Sequence, residues 1–375
     1  MSGPLEGLRV VEMAGLGPCP LAGQLLADLG ADVVLIDRKS GKVDPANINN
    51  RSKRSIALNL KSEAGVHAAK KVIAKADILI EGFRPGVMEK LGLGPKDCYK
   101  FNKGLVFGRM TGWGQEGPLS HTAGHDINYL ALSGALHAIG KAGEPPTPPL
   151  NLVADYAGGT MFLLLGVLSA LYERQKSGLG QVIDAAMVDG VPALMGLIHM
   201  MVAKGQWSSN REENWLDGGA PFYRTYETSD GKYISVGPLE PQFFAQLVEK
   251  SGLPAEDLSS QYDVANWPER HNQYEAIFKS KTRDEWVDIF EGSDACVAPV
   301  LDFSEVFDNK HNKARGIFKE VGGVLQAAPA PRFDRTPAGP IGAPCAPGAD
   351  GEAILNECGL SQDEIAELRA NGGLS

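Results

Sequence analysis

The chain has 375 residues, enough for about two domains on the usual length scale. A formal net charge of −10 argues against general binding to nucleic acid or to acidic membranes. Five cysteines (Cys19, Cys98, Cys296, Cys345, Cys358) are scattered without a CxxC pair, so neither a zinc site nor a disulfide framework is indicated, and a reducing, cytoplasmic setting is expected. The opening MSGPLEGLRVVEM lacks a basic start followed by an apolar core, so no signal peptide is read, and the closing Gly-Leu-Ser is not a peroxisomal address.

In chain order, Leu8–Met13 and Ala31–Asp37 are short β-branched runs separated by a helical pattern over Leu21–Leu29, a βαβ unit. Ala76–Phe83 and Leu105–Met110 read as further parallel strands, with a helix over Glu63–Lys75 before the former, and Gln181–Met187 adds another strand. Apolar strands alternating with helices predict a doubly wound, Rossmann-like sheet covered on both faces. Gly15-x-Gly17 and Asp37 suggest a dinucleotide fingerprint, but its third glycine would fall at Pro20, so NAD is not expected. Arg38, Lys39, Lys42, Arg51, Lys53, Arg54 and Lys61 then crowd a segment whose only acid is Asp44. This is either a site for a polyanion or a solvated basic loop.

The stretch from Thr111 to Asp155 organises the rest. Gly112, Gly114 and Gly117 form a turn that can bring backbone close to a ligand. His125 and Asp155 each stand before an apolar helical run, where free N–H groups and the helix dipole favour negative charge. Asp126 and Asp155 also read as plain helix caps. The apolar run Met161–Leu171 is too short to span a bilayer and reads as a buried helix. The Met-rich stretch Val188–Lys204 suits a buried or interface helix. A hairpin over Phe222–Thr228 and Lys232–Gly237 and helices over Pro241–Lys250, Tyr274–Lys279 and Arg283–Phe290 predict a smaller α+β domain. Six prolines between Gln326 and Gly348 predict an extended linker, and the capping box Ser361-x-x-Glu364 starts a last helix. The expected division is residues 1–200, 201–325 and 326–375.

The motifs AGHDINY, TGWGQEGP, FRPGVMEKLGLG and ADVVLIDR, in order and at compatible spacing, resemble the family III CoA-transferases. Within that superfamily they are most similar to the racemase branch acting on 2-methylacyl-CoA thioesters. The resemblance runs from LRVVEMAG to APAPRF. It implies a large CoA-binding α/β domain, a small α+β domain, a tail that returns to the large domain, and an interlocked homodimer. It implies that Arg38, Asn59, Lys61 and Arg84 lie about the nucleotide. Lys90 stands where the family often has arginine, keeping the charge but losing the bidentate fork. It also implies that CoA is part of the substrate, with neither metal nor NAD, and a place in branched-chain lipid metabolism.

In the family the positions matching His125 and Asp155 exchange the α-proton on opposite faces of an enolate. The backbone N–H of Asp126 is the implied donor to the enolate oxygen. Glu240 matches a glutamate that hydrogen-bonds the histidine, with Asn151 and Tyr156 as supporting residues. His67, His121, His137, His199, His271 and His311 read as structural or surface residues. The alternative is CoA transfer between carboxylic acids through an aspartyl anhydride at Asp155. His125 speaks against it, because transferases generally lack a histidine there.

Overall fold

The computed structural model describes residues 3–374 and separates into two compact units. The first comprises residues 1–133, 150–194 and 316–375, and the second residues 134–149 and 195–315. Boundaries read from sequence at 200 and 325 compare with 194/195 and 315/316, and residues 134–149 group with the second unit.

The first unit is built on β1 (Arg9–Met13), α1 (Pro18–Asp28), β2 (Asp32–Asp37), β3 (Arg54–Ala57), α2 (Glu63–Ile73), β4 (Ile78–Glu81), the short helices α3 (Val87–Lys90) and α4 (Pro95–Cys98), β5 (Val106–Thr111), α5 (Asp126–Ser133), α6 (Met161–Ser177), β6 (Val182–Ala186) and α7 (Met187–Leu194). Its six strands are parallel, in the order β3-β2-β1-β4-β5-β6. The fold is therefore the α/β, Rossmann-like sheet that the apolar strand pattern predicts. Ligands of such sheets bind beyond the carboxyl ends of the strands.

Strand β3 lies inside the basic segment, and this corrects the reading of that segment as one solvated or ligand-binding run. Arg51 is buried and donates to both carboxylate oxygens of Asp28 (3.0 and 2.6 Å), to Gln326 and to the carbonyl of Ala327. Lys53 is buried against Glu12 at 2.6 Å, and a Cβ on Gly23 would come within 1.7 Å of that carboxylate. Burial pushes Glu12 up to about 7, with Lys53 opposing. Arg54 joins Asp32 and Glu357. Three of the seven cations thus serve the fold. Arg38, Lys39, Lys42 and Lys61 are exposed and make no ion pair among the described residues.

A second correction concerns the apolar helix. A π-helical stretch, Leu152–Thr160, leads directly into α6, so the helical rod runs 26 residues from Leu152 to Ser177, long and apolar enough by length and composition to cross a membrane. Only part of it is buried. Leu163, Val167, Ala170 and Leu171 face the sheet, where a Cβ on Gly166 would stand 2.7 Å from Ile183, while Leu165, Leu168 and Tyr172 are exposed. The expected helix over 188–204 is also broken, at Met195, into α7 and α8 (Gly196–Ala203), and Leu194, Leu197, Met200 and Val202 are exposed.

The second unit carries a three-stranded antiparallel sheet of β7 (Arg224–Glu227), β8 (Tyr233–Val236) and β9 (Val297–Val300), with α9 (Pro241–Ser251), α10 (Trp267–Phe278), α11 (Arg283–Phe290) and α12 (Lys310–Arg315). Its core is aromatic, with Phe222, Tyr226, Phe244, Tyr274, Phe278 and Trp286 fully buried. Residues 316–374 belong to the first unit. They form the hairpin β10 (Phe318–Val321) and β11 (Val324–Ala327), then an extended proline-rich run, then α13 (Gly351–Glu357) and α14 (Gln362–Ala370). Both halves of the Ser361–Glu364 capping box are formed. Ile354, Leu355, Ile365, Leu368 and Leu374 enter the same core as Ile56 and Val72.

Candidate active site

The site residues predicted in the first unit follow the carboxyl ends of successive strands: Arg38 after β2, Asn59 and Lys61 after β3, Arg84 after β4, and His125 on the loop after β5. The Gly15–Gly17 loop follows β1. Parallel strands place all of these at one edge of the sheet.

The loop after β5 is shaped by one aromatic ring. A Cβ on Gly112 would lie 1.9 Å from Tyr129, and one on Gly124 would lie 2.8 Å from it. Trp113 meets Tyr129 edge-on at 4.7 Å, and the Tyr129 hydroxyl donates to the Gly124 carbonyl. Gly112 is therefore required for packing Tyr129. The ring holds the loop against α5 one residue before His125. His125 then occupies the capping position: its N–H donates to the Asn128 side chain at 3.0 Å and its carbonyl accepts from the Asn128 N–H. The His125 side chain is exposed.

Asp126 is the residue whose role differs most from a plain cap. Its buried carboxylate does not cap its own helix. Oδ2 accepts from the backbone N–H groups of Ala154 and Asp155, both at 2.8 Å, in the first turn of the π-helical stretch. The start of α5 and the start of the next helical rod are thereby clamped together. Oδ1 of Asp126 is buried without a hydrogen-bond partner in the described structure.

Asp155 is not an N-cap. It lies inside the π-helical stretch, four residues beyond the capping position of Asn151. Wider π turns recur at functional sites because they displace a side chain from the regular helical spiral. Thr160 secures this turn: its hydroxyl donates to the carbonyl of Pro18 at 2.9 Å. A Cβ on Gly17 would stand 3.6 Å from the Asp155 carboxylate, so the glycine loop after β1 runs alongside that group. Burial pushes the Asp155 carboxyl above its ordinary value. The Asn151 amide, 3.4 Å away, lowers it, the Asp126 charge raises it, and His125 lowers it. Tyr156, the next residue, lines a 280 Å³ cleft with Glu12, Gly15, Gly17, Asp37 and Asn50.

The predicted nucleotide residues divide. Lys61 and Lys90 line one groove of 1080 Å³ together with His67, Lys70, Leu368 of α14 and Asn371 just after it. Arg38 and Arg84 are exposed at the strand ends outside that groove. Asn59 is already engaged: its amide oxygen accepts from the Lys61 N–H at 3.1 Å, and its amide nitrogen donates to the Gly372 carbonyl at 3.1 Å. Glu240 belongs to the second unit, where it is exposed at the capping position of α9 without using its carboxylate as a cap.

Sequence reasoning missed Tyr129, Thr160 and the clamping role of Asp126. Tyr129 falls four residues after His125, the helical spacing that brings side chains to one face, and that was a usable signal. The reach of Asp126 and Thr160 to other segments had none.

The fold and this strand-end site define a class. A model of CoA-transferase family III matches residues 5–351, and the chain belongs to that family. It is 48% identical over 369 residues to alpha-methylacyl-CoA racemase of Mus musculus, covering 98% of this chain and 96% of that protein, and 44% identical to the Homo sapiens protein of the same name over the same shares. Among solved structures, a CAIB/BAIF family protein from Brucella suis superposes with a TM-score of 0.82 at 27% identity, covering 96% of this chain and all of that one.

Proposed function

We infer that this chain is an isomerase that interconverts (R)- and (S)-2-methylacyl-CoA thioesters by 1,1-proton transfer. The similarity to racemases over nearly the whole chain supports this reading. The observation that supports the mechanism is the Asp126 clamp, which ties the residue after His125 to the backbone of Asp155, a carboxyl of raised proton affinity. Inversion at an α-carbon needs one protonated and one free group on opposite faces of a planar enolate. A carboxyl pushed upward by burial holds or releases a proton nearer working pH than an ordinary aspartate does. His125 takes the α-proton of one enantiomer while Asp155 supplies the new one, and the roles reverse in the other direction. The Asp126 N–H, at the start of α5, is the proposed donor to the enolate oxygen. Glu240 enters this reading through the resemblance alone.

CoA enters as part of the substrate, and the chemistry needs no metal or NAD. The exposed cations at the strand ends suit its phosphates, with Arg38, Asn59, Lys61, Arg84 and Lys90 about the nucleotide. The exposed Leu165, Leu168 and Tyr172 on α6 suit burial against a second copy of the chain, the interlocked homodimer, in a cytoplasmic setting. Sedimentation showing an active monomer at assay concentration would remove that part of the reading.

The decisive test follows the α-proton of a 2-methylacyl-CoA by NMR in deuterated water with no acceptor acid present. Racemisation gives deuterium at the α-carbon. Turnover that requires an acceptor carboxylate and leaves the α-carbon unlabelled assigns the chain to CoA transfer through an Asp155 anhydride instead.

A further inference from the structure

The loop that carries Lys61 is held from an unexpected direction. Leu58 pairs with Leu374 in an antiparallel bridge, the Asn59 N–H donates to the Gly373 carbonyl at 2.9 Å, and the Asn59 side chain donates to the Gly372 carbonyl. From Asn59 the hydrogen bonds continue inward. Its amide oxygen accepts from the Lys61 N–H, its carbonyl accepts from the N–H and hydroxyl of Ser62, and the Ser62 hydroxyl caps α2 at Gly65. One continuous chain of bonds therefore joins residues 372–373 to the backbone of Lys61.

The segment is fitted, not draped. A Cβ on Gly373 would lie 2.6 Å from Leu368 and 2.9 Å from the Gly65 nitrogen, both closer than real side chains allow, and a tight 3.1 Å from Ala64. Gly372 has φ +64°, the left-handed region. Leu374 is buried in the core beside Gly351 and Ile56. On its other side the same segment carries Asn371, which with Leu368 walls the groove where Lys61 and Lys90 stand.

We propose that Asn371–Leu374 is a positioning clip for nucleotide binding: it fixes the Asn59–Ser62 loop and so sets where the Lys61 ammonium meets the phosphates of the acyl-CoA. This rests on the nucleotide reading above. The clip touches neither His125 nor Asp155 through any of these bonds, so its effect falls on affinity for the nucleotide half of the substrate.

Two variants test it, Gly373→Ala, which drives a methyl into Leu368 and Gly65, and Leu374→Ala, which empties the anchor without that clash. Each is assayed with a 2-methylacyl-CoA and with the matching 2-methylacyl-pantetheine, which lacks the nucleotide, alongside Lys61→Ala. Both clip variants are expected to raise KM for the CoA thioester on the order of tenfold, the loss of about one charged hydrogen bond. The pantetheine KM and kcat stay at wild-type values. Equal losses on both substrates, or an unchanged KM for the CoA thioester in Leu374→Ala, overturn the clip. If Lys61→Ala removes the preference for the CoA thioester while the clip variants keep it, the clip fails and the nucleotide reading stands. If Lys61→Ala itself keeps the preference, the nucleotide reading fails first and takes the clip with it.

Discussion

Two regions of the first unit concentrate polar side chains, and they use them in opposite ways. Between residues 38 and 61, three of the seven positive charges that look like a ligand site serve the fold: Arg51, Lys53 and Arg54 hold Asp28, Glu12 and Asp32. Around His125 and Asp155, the buried carboxylate of Asp126 turns inward and ties the residue after His125 to the backbone of Asp155. Charge density along a chain does not reveal whether the charges serve fold or ligand. Position at a helix start beyond a parallel strand says more, because the fold has already assigned that edge to ligands.

The largest expected effect breaks the comparison at its catalytic side. His125→Ala should lower racemisation by about 10²- to 10⁴-fold, the usual contribution of a positioned acid–base group, with thermal stability nearly unchanged because the side chain is exposed. Asp155→Asn should also abolish inversion but retain some deuterium uptake from the enantiomer whose proton faces His125. Wild-type racemisation in both the His125→Ala and the Asp155→Asn variants would put the chemistry elsewhere.

On the structural side, Lys53→Ala should cost about 3–5 kcal/mol of folding stability, since it strands Glu12 in the core. The pH dependence has a definite sign. The folded-state proton affinity of Glu12 is already raised, to about 7. A raised carboxyl contributes stability that is present below its unfolded value and lost as pH climbs through the folded one. The deficit of Lys53→Ala should therefore be smaller at pH 5 than at pH 8, in denaturant titrations at both. Equal deficits at the two pH values would mean that Glu12 is not the source of the cost.

Much of this was legible in the sequence, for identifiable reasons. The parallel strands are apolar runs of the right length, and the Ser361–Glu364 box is local chemistry with local consequences. His125 and Asp155 drew attention because they stand before apolar runs, and their roles come from the family resemblance; Asp155 in fact lies inside the π-helical stretch. Three things were not legible. Strand β3 was masked by Arg51, Lys53 and Arg54, whose partners are 22 to 41 residues away along the chain or, for Arg51 with Gln326 and Arg54 with Glu357, 275 and 303 residues away. The π-helical stretch looks like an ordinary helix start, because nothing in Leu152–Thr160 signals a wider turn. The link from Asn59 to Gly372 is a contact of sequence separation 313, which no spacing rule anticipates.

The exposed cations of the basic segment sharpen the comparison at a smaller scale. Arg38→Ala and Lys61→Ala should each raise KM for the acyl-CoA by the cost of a charged hydrogen bond, about 1.5–3 kcal/mol, with the chemical step less affected. The effect should shrink at high salt, where exposed charges are screened. Wild-type affinity for CoA in both variants at low salt would leave the segment as scaffold alone.

The smallest expected effect concerns Asp126, the residue both functions share. In Asp126→Asn the amide oxygen can still accept from the Ala154 and Asp155 N–H groups, so the clamp is retained while its negative charge is removed. That charge is one of the causes that raise Asp155, after burial. Removing it lowers the proton affinity of Asp155. Where Asp155 must be the free base, the acid limb of the exchange rate should then move to lower pH. Exchange from the opposite enantiomer needs His125 as the base, so each limb is read separately by supplying one enantiomer at a time. An Asp155-dependent limb that stays in place or moves to higher pH would show that the carboxylate of Asp126 acts only as a clamp. A shift to lower pH would make the same buried group both the structural tie between the two helix starts and a tuner of the base it holds.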